Sequence, residues 1–204
     1  DKGIPTTGLL AQVLVAKYAD HLPLYRQETI FARSGLAIAR STLAQWVGTC
    51  GVRLQPLEDA LKAEILGQRV LRADEMSVQM LKPGKGATHR AYLWAYLWAY
   101  APGAFQDIKA VVYDFCESRA GEHARNFLGE WLGALICDDF AGYKAGFAQG
   151  IMEVGCLAHA RRKFFDLHAA NKSQIAGFAL EQLAKGYDIE REVKDLNADQ
   201  RQGI

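Results

Sequence analysis

The chain has 204 residues, with 24 Lys+Arg against 23 Asp+Glu, a formal charge of +1, and 50% apolar residues. A chain of that size can bury about 70% of the surface its unfolded form exposes, so it needs neither a disulfide nor a metal to stay folded. The apolar fraction excludes disorder, and the lack of any run of about 20 apolar residues excludes a membrane span. The near-zero charge excludes a uniformly basic, histone-like binder, although a local basic patch suffices for nucleic acid. Cys50, Cys116, Cys137 and Cys156 form no CxxC pair and read as free thiols of a reducing cytosol. The opening DKGIPTTGLL has no signal-peptide pattern, and without an initiator Met the chain reads as part of a longer protein.

Residues 1–67 read as helical. Pro5-Thr6-Thr7 opens a helix with Leu9, Leu10, Val13, Leu14 and Tyr18 on one stripe. Pro23 suits a first helical position, with Leu24, Ile30 and Phe31 following and Gly35 as a stop. Thr42 with Gln45 resembles a capping box before Leu43, Trp46, Val47 and Cys50. Pro56 is expected to open a further helix carrying Leu57, Leu61 and Ile65, closed by Gly67. Residues 24–51 fit either a helix-turn-helix, with 41–51 reading DNA and Arg33 and Arg40 on phosphates, or a plain helical hairpin.

After Gly67 the period changes. Residues 69–81 alternate as a strand, and Pro-Gly-Lys-Gly at 83–86 signals a hairpin. Residues 89–100 follow, in which YLWA occurs twice in succession, at 92–95 and 96–99. A shift of four is even and preserves the faces of a strand. It either lengthens the strand or fills the neighbouring turn. A third strand is expected at 108–118, a helix at 121–132, and a short buried strand at 134–138. Residues 141–147 look helical, 151–158 read as a fifth strand, and 159–170 and 175–196 as helices. The order β-β-β-α-β-α-β-α predicts an α/β fold with a mixed sheet flanked by helices. Trp94, Trp98 and Trp131 are expected as core aromatics.

Two acids stand out by position. Asp74 lies within the first strand, among Leu71, Val78 and Met80, and Asp138 ends the short buried strand. If those strands are neighbours, the two carboxylates converge at one edge of the sheet. Such a pair is costly unless coordinated, and a divalent cation is the natural compensation. Hard oxygen donors favour Mg²⁺ or Mn²⁺ over Zn²⁺. Two such ions about 4 Å apart activate an attacking oxygen and stabilise a leaving one on phosphorus. The plainer alternatives are a backbone-bonded turn carboxylate for Asp74 and a cap for Asp138. Asp139 competes with Asp138, but the period of a strand puts the two on opposite faces. Cys156 and His159 are spaced to share a metal, yet two ligands alone do not make a zinc site.

The runs RADEMSV at 72–78, LICDDFAGY at 135–143 and CLAHARRKFF at 156–165 together resemble the insertion-sequence-66 family of transposases. The opening segment GIPTTGLLAQVLVAKYADHLPLYRQETIFARSGLAIARSTLAQWV is also similar to the helical part that precedes their catalytic core. The resemblance implies a DDE-type transposase with an RNase H-like core at 68–170, preceded by the helical segment 1–67 and followed by part of a helical insertion at 171–204. Asp74 matches the first catalytic acid and Asp138 the second, with Asp139 where the family more often has Gly. The family's third acid lies in an Asn-rich stretch beyond the insertion. Glu190 and Glu192 fall in insertion-like sequence instead.

The expected function is therefore metal-dependent nicking and strand transfer on DNA, with Asp74 and Asp138 as ligands of Mg²⁺ or Mn²⁺, two ions in the complete site. His159, Arg161, Arg162, Lys163 and Arg40 are expected on DNA phosphates, although a solvated helix face paired with Asp166 also accounts for the three consecutive cations. Expected partners are transposon ends, target DNA and further copies of the chain, in a bacterial cytoplasm at the nucleoid, with no membrane. The alternatives are an RNase H-like nuclease, a non-catalytic DNA-binding remnant, and a helix-turn-helix regulator.

Overall fold

The computed structural model describes residues 4–81, 84, 86–98 and 110–202. The chain divides into two units, Asp1–Ala60 and Leu61–Ile204.

The first unit is helical, as its periodicity predicts. Helix α1 (Thr7–Tyr18) starts where the Thr6 hydroxyl accepts the Leu9 N–H at 3.2 Å, one of the donors a helix start leaves open. Helix α2 (Leu24–Arg33) has Pro23 as its cap rather than its first residue, and Gly35 follows with φ +82°. Buried Gln27 donates to the carbonyls of Val13 (3.3 Å) and Leu22 (3.1 Å), which ties α2 to α1 and its exit. Helix α3 (Arg40–Leu66) begins two residues before the expected cap. A carboxylate from α2 replaces that cap: Glu28 Oε1 accepts the Arg40 N–H at 2.8 Å.

The expected break at Pro56 does not occur. Pro56 sits inside α3, which runs unbroken from Arg40 to Leu66. Proline leaves the carbonyl four residues back without its helical donor. Here that carbonyl belongs to Val52, in a stretch, 51–57, that is wholly exposed, so water can satisfy it. Residues 57–66 are otherwise mostly strong helix formers and carry the helix on.

The second unit contains a five-stranded sheet. Its strands are β1 (Val70–Leu81), β2 (Thr88–Trp98), β3 (Val111–Cys116), β4 (Ala134–Cys137) and β5 (Met152–Gly155), in the order β3-β2-β1-β4-β5. The first three pair antiparallel, and β4 and β5 add in parallel. This is the mixed sheet flanked by helices that the sequence predicts, and its order agrees with an RNase H-like fold. At the hairpin, Gly84 and Gly86 take φ of +84° and +62°, a region glycine enters without cost, while Pro83 and Lys85 lie outside the described residues.

Both YLWA copies run along β2 as far as Trp98, and the rest of the second lies outside the described residues. The even shift keeps Tyr92 and Tyr96 on one face, where Tyr96 stacks on Phe127 with ring centroids 3.7 Å apart. Trp94 is buried as expected; the side chain of Trp98 is outside the described set.

Helix α4 (Gly121–Leu128) is shorter than the expected 121–132, because Gly129 turns the chain at φ +55°. Trp131 therefore lies beyond the helix, half-buried against the core, and its indole N–H donates to the Gln68 carbonyl at 2.8 Å, pinning the loop to the start of β1. Strand β5 stops at Gly155, opposite the last residue of its partner β4, so it is shorter than the expected 151–158. One turn of 3-10 helix (Ala141–Tyr143), α5 (Lys144–Ala148), α6 (Leu157–Asn171), α7 (Gln174–Glu192) and α8 (Ala198–Gln202) complete the unit. The core joins Leu71, Ala73, Trp94, Tyr96, Leu135 and Cys137 of the sheet to Ala124, Phe127 and Leu128 of α4. Burial pushes the Cys116 thiol up to about 11 and the Cys137 thiol up to about 12, with nearby carboxylates adding to each, so both stay protonated and unreactive.

Candidate active site

Strands alternate their side chains, and that alternation separates two neighbouring acids of β1. Leu71 and Ala73 are buried in the core, and Glu75 follows them on that face. Arg72 and Asp74 project from the opposite face and are exposed. On β4, Leu135 and Cys137 point into the core, so Ile136 and, one step past the strand, Asp138 fall on the opposite face.

The parallel pairing of β1 with β4 runs Val70↔Ala134, Leu71↔Leu135, Arg72↔Ile136. Continuing that register by two residues brings Asp74 level with Asp138, on the same face. Asp138 is half-buried, and its Oδ1 accepts the Phe140 N–H at 3.0 Å, an Asx turn that fixes the carboxylate as the chain leaves the strand. Asp74 is 58% exposed, and its Oδ1 accepts the N–H of Glu75 at 2.9 Å. Asp139 goes elsewhere. It is exposed and meets Lys144 at 3.0 Å, and that hydrogen bond holds its carboxyl below the usual range. Lys144 also bridges to Glu153 at 2.7 Å.

Beneath the two aspartates lies a network that the sequence reading missed. The Glu75 carboxylate, 2% exposed, is ion-paired with Arg119 through a bond from the guanidinium Nε (2.8 Å) and one from its Nη2. Its other oxygen accepts the Tyr143 hydroxyl at 3.1 Å. Arg119 in turn lies 3.9 Å over the Phe140 ring, which packs with Trp94 and Tyr143. Burial raises the Glu75 carboxyl above its ordinary value, and the Arg119 pairing pulls it only part of the way back. Desolvation is the largest single influence on Arg119 and lowers it, yet the Glu75 bond and charge, with Asp138 and Tyr92 adding to them, leave its guanidinium above its ordinary value. The pair attracts, but taking the carboxylate out of water costs more than the attraction returns. The charge of Asp138 reaches both partners, raising each. The signal for Glu75 was present, because an acid at 75 shares parity with Leu71 and Ala73. Arg119 comes from the loop after β3, and no local pattern marks it.

The expected DNA-contacting residues separate by helix geometry. Helix α6 places residues four apart on one stripe. His159 Nε2 lies 3.8 Å from Asp74 Oδ2, and its Nδ1 is buried without a hydrogen-bond partner among the described residues. One turn on, the charge of Lys163 acts on Asp139. Arg161 and Arg162 instead border a groove toward α7. Arg40 belongs to the first unit, 64% exposed, with its guanidinium 3.4 Å from Glu28. Among the described residues no group of three or more His, Cys, Asp or Glu is arranged to hold a metal ion. The candidate donor set is thus the two level carboxylates, hard oxygen donors suited to Mg²⁺ or Mn²⁺. No described helix is long and apolar enough to cross a membrane.

The chain is 38% identical over 210 residues to the uncharacterized protein y4qI of Sinorhizobium fredii, covering 98% of the chain and 39% of that protein. It is 37% identical over 209 residues to y4jD of the same organism, covering 99% of the chain and 41% of that protein. A third relative there, y4hP, is 30% identical over 220 residues, and the chain spans 40% of it. The chain thus spans about two fifths of the length of these relatives. The family described as "Transposase IS66 family" matches residues 2–204, so from its first helix through its last the chain belongs to that transposase family.

Proposed function

We propose that this chain carries two of the acidic ligands of a DDE-type transposase, Asp74 and Asp138, and contributes them to metal-dependent nicking and strand transfer on DNA. The observation that supports this is the register of β1 on β4, which, continued two residues past the paired ladder, brings the two carboxylates level on one face. Neither makes an ion pair with Lys or Arg among the described residues; His159 is the one basic side chain within ion-pair distance, beside Asp74. A divalent cation held by Asp74 and Asp138 would supply positive charge to the attacking and leaving oxygens of a phosphodiester.

The chain's own residues do the rest. The Asx turn fixes Asp138, and the buried Glu75–Arg119 pair stiffens the strand that presents Asp74. His159, beside Asp74, is placed to donate a hydrogen bond to a phosphate oxygen, and Lys163 adds charge one turn along. No covalent intermediate is needed, since positioning and charge suffice for this chemistry. A third acid, transposon ends, target DNA and assembly of several copies belong to the same reading of the whole protein.

Two measurements test it. In the 204-residue chain, Mn²⁺ should broaden amide NMR signals around residues 74 and 138 first, and Asp138→Asn should abolish that localised broadening. In a strand-transfer assay with a labelled element end and the full gene product, Asp74→Asn and Asp138→Asn should each lose about 10³-fold, equivalent to about 4 kcal/mol of transition-state stabilisation. Broadening centred elsewhere, or wild-type strand transfer by either variant, overturns the proposal.

A further inference from the structure

Helix α6 has a second stripe, Ala158, Arg161, Arg162 and Phe165, at the spacing of one helical face. It faces a matching stripe of α7, Ala184, Tyr187, Asp188 and Arg191, with Lys194 just beyond the helix. Between them lies a groove of about 770 Å³, within the roughly 300–1,000 Å³ of ligand sites. Its acids are already committed: Asp188 is ion-paired with Arg191, and Glu190 lies 3.4 Å from Arg201. Arg161, Arg162 and Lys194 then have no acidic partner among the described residues. Two rings, Phe165 (53% exposed) and Tyr187 (39% exposed), line the same walls.

We infer that this groove binds single-stranded DNA, its three uncommitted cations on phosphates and its two rings stacked on bases. Uncompensated cations call for a polyanion, and exposed rings between them are the stacking platform that unpaired bases use. A duplex keeps its bases stacked on each other and offers the rings nothing. The inference rests on the transposase reading for its purpose. Arg162 is three residues from His159, a rise of about 4.5 Å, so a strand held in the groove leads toward Asp74. A melted element end is the piece of DNA such a path would guide.

The test uses the 204-residue chain and fluorescein-labelled 20-nucleotide oligothymidine, with a 20-base-pair duplex for comparison, read by anisotropy. Three phosphates neutralised predict a salt slope of about 2, so raising salt from roughly 50 to 200 mM should weaken oligothymidine binding about twenty-fold. Phe165→Ala with Tyr187→Ala should lose at least about thirty-fold for oligothymidine and nothing for the duplex. Both side chains are exposed, so the fold should survive, which circular dichroism checks. Lys194→Gln should lower the salt slope by about 0.7. Unchanged oligothymidine binding in these variants overturns the inference, as does equal competition by polyglutamate with no effect of the ring substitutions, which would mark the groove as a site for acidic protein. Groove variants that bind normally while Asp74→Asn abolishes strand transfer sink the groove alone. The reverse result sinks the transposase reading alone.

Discussion

Asp74 and Glu75 are neighbours in one strand with opposite fates. Glu75 faces the core, is almost wholly shielded from water, and spends both oxygens on Arg119 and Tyr143. Asp74 faces the other way, more than half exposed, and among the described residues its partners are a backbone N–H and a histidine. The pleat alone separates them. A buried carboxylate with both oxygens engaged inside the protein is closed to a ligand, whereas one held in position but exposed and not neutralised is open to it. Position in the strand thus commits one acid to structure and leaves the other free for the role proposed for it.

The sharpest break of that contrast is a pair of amide substitutions assayed side by side. Asp74→Asn should lose about 10³-fold in strand transfer while unfolding stability moves by less than about 0.5 kcal/mol, as expected of an exposed side chain. Glu75→Gln should show the converse balance, with most strand transfer retained and stability at neutral pH raised by up to about 1 kcal/mol, because Gln still accepts from Tyr143 and no longer buries a charge. Equal activity losses in the two would erase the distinction. Urea denaturation and a labelled-end assay read both axes.

Within the buried pair, the two partners are not equivalent. Arg119 keeps 43% of its side chain in water, so it can be re-solvated when Glu75 is neutralised. Removing Arg119 instead strands a buried carboxylate. Arg119→Ala should therefore destabilise where Glu75→Gln does not, costing roughly 2 kcal/mol after allowing for the solvent that already screens the pair. Equal costs would show that the Phe140 contact, not the charge, is what Arg119 supplies.

The pH dependence follows from the same burial. Glu75 titrates above its ordinary 4.5 in the fold, so the fold favours its protonated form. The stability associated with that preference is full below pH 4.5 and is lost as pH rises through the folded value. Wild type should lose stability across that interval relative to Glu75→Gln, in which the group no longer titrates. A difference between the two curves that stays flat with pH would mean the Arg119 pairing fully offsets burial.

These contrasts also mark where sequence reading succeeds. The sheet was legible because turns and alternation are local: PGKG signals the hairpin, and the short apolar run ALIC suits a buried strand. Asp74 and Asp138 stand out by position, one within the first strand and one at the end of the short buried strand, and their metal-binding role is our proposal. Helix ends were less legible. Pro56 reads as a start by local rules, but an exposed stretch tolerates the missing bond, and the cap of α3 comes from Glu28 on another helix. Arg119 was invisible, since its meaning lies in a partner 44 residues away in sequence. The groove between α6 and α7 likewise requires knowing that two helices with separate charge patterns lie side by side.

The smallest expected effect discriminates between Asp138 and Asp139. Both follow β4, and only one can share a face with Asp74. Asp139 is fully exposed and hydrogen-bonded to Lys144, which also reaches Glu153. Asp139→Asn leaves Lys144 its other acid, so neither the thermal midpoint nor strand transfer should change measurably. If Asp139 were the metal-binding acid, its substitution would instead reproduce the loss seen with Asp74→Asn, and Asp138→Asn would be the silent one. That exchange of outcomes would mean the chain turns one residue earlier after β4 than its register with β1 implies, and the two carboxylates would no longer stand on a common face.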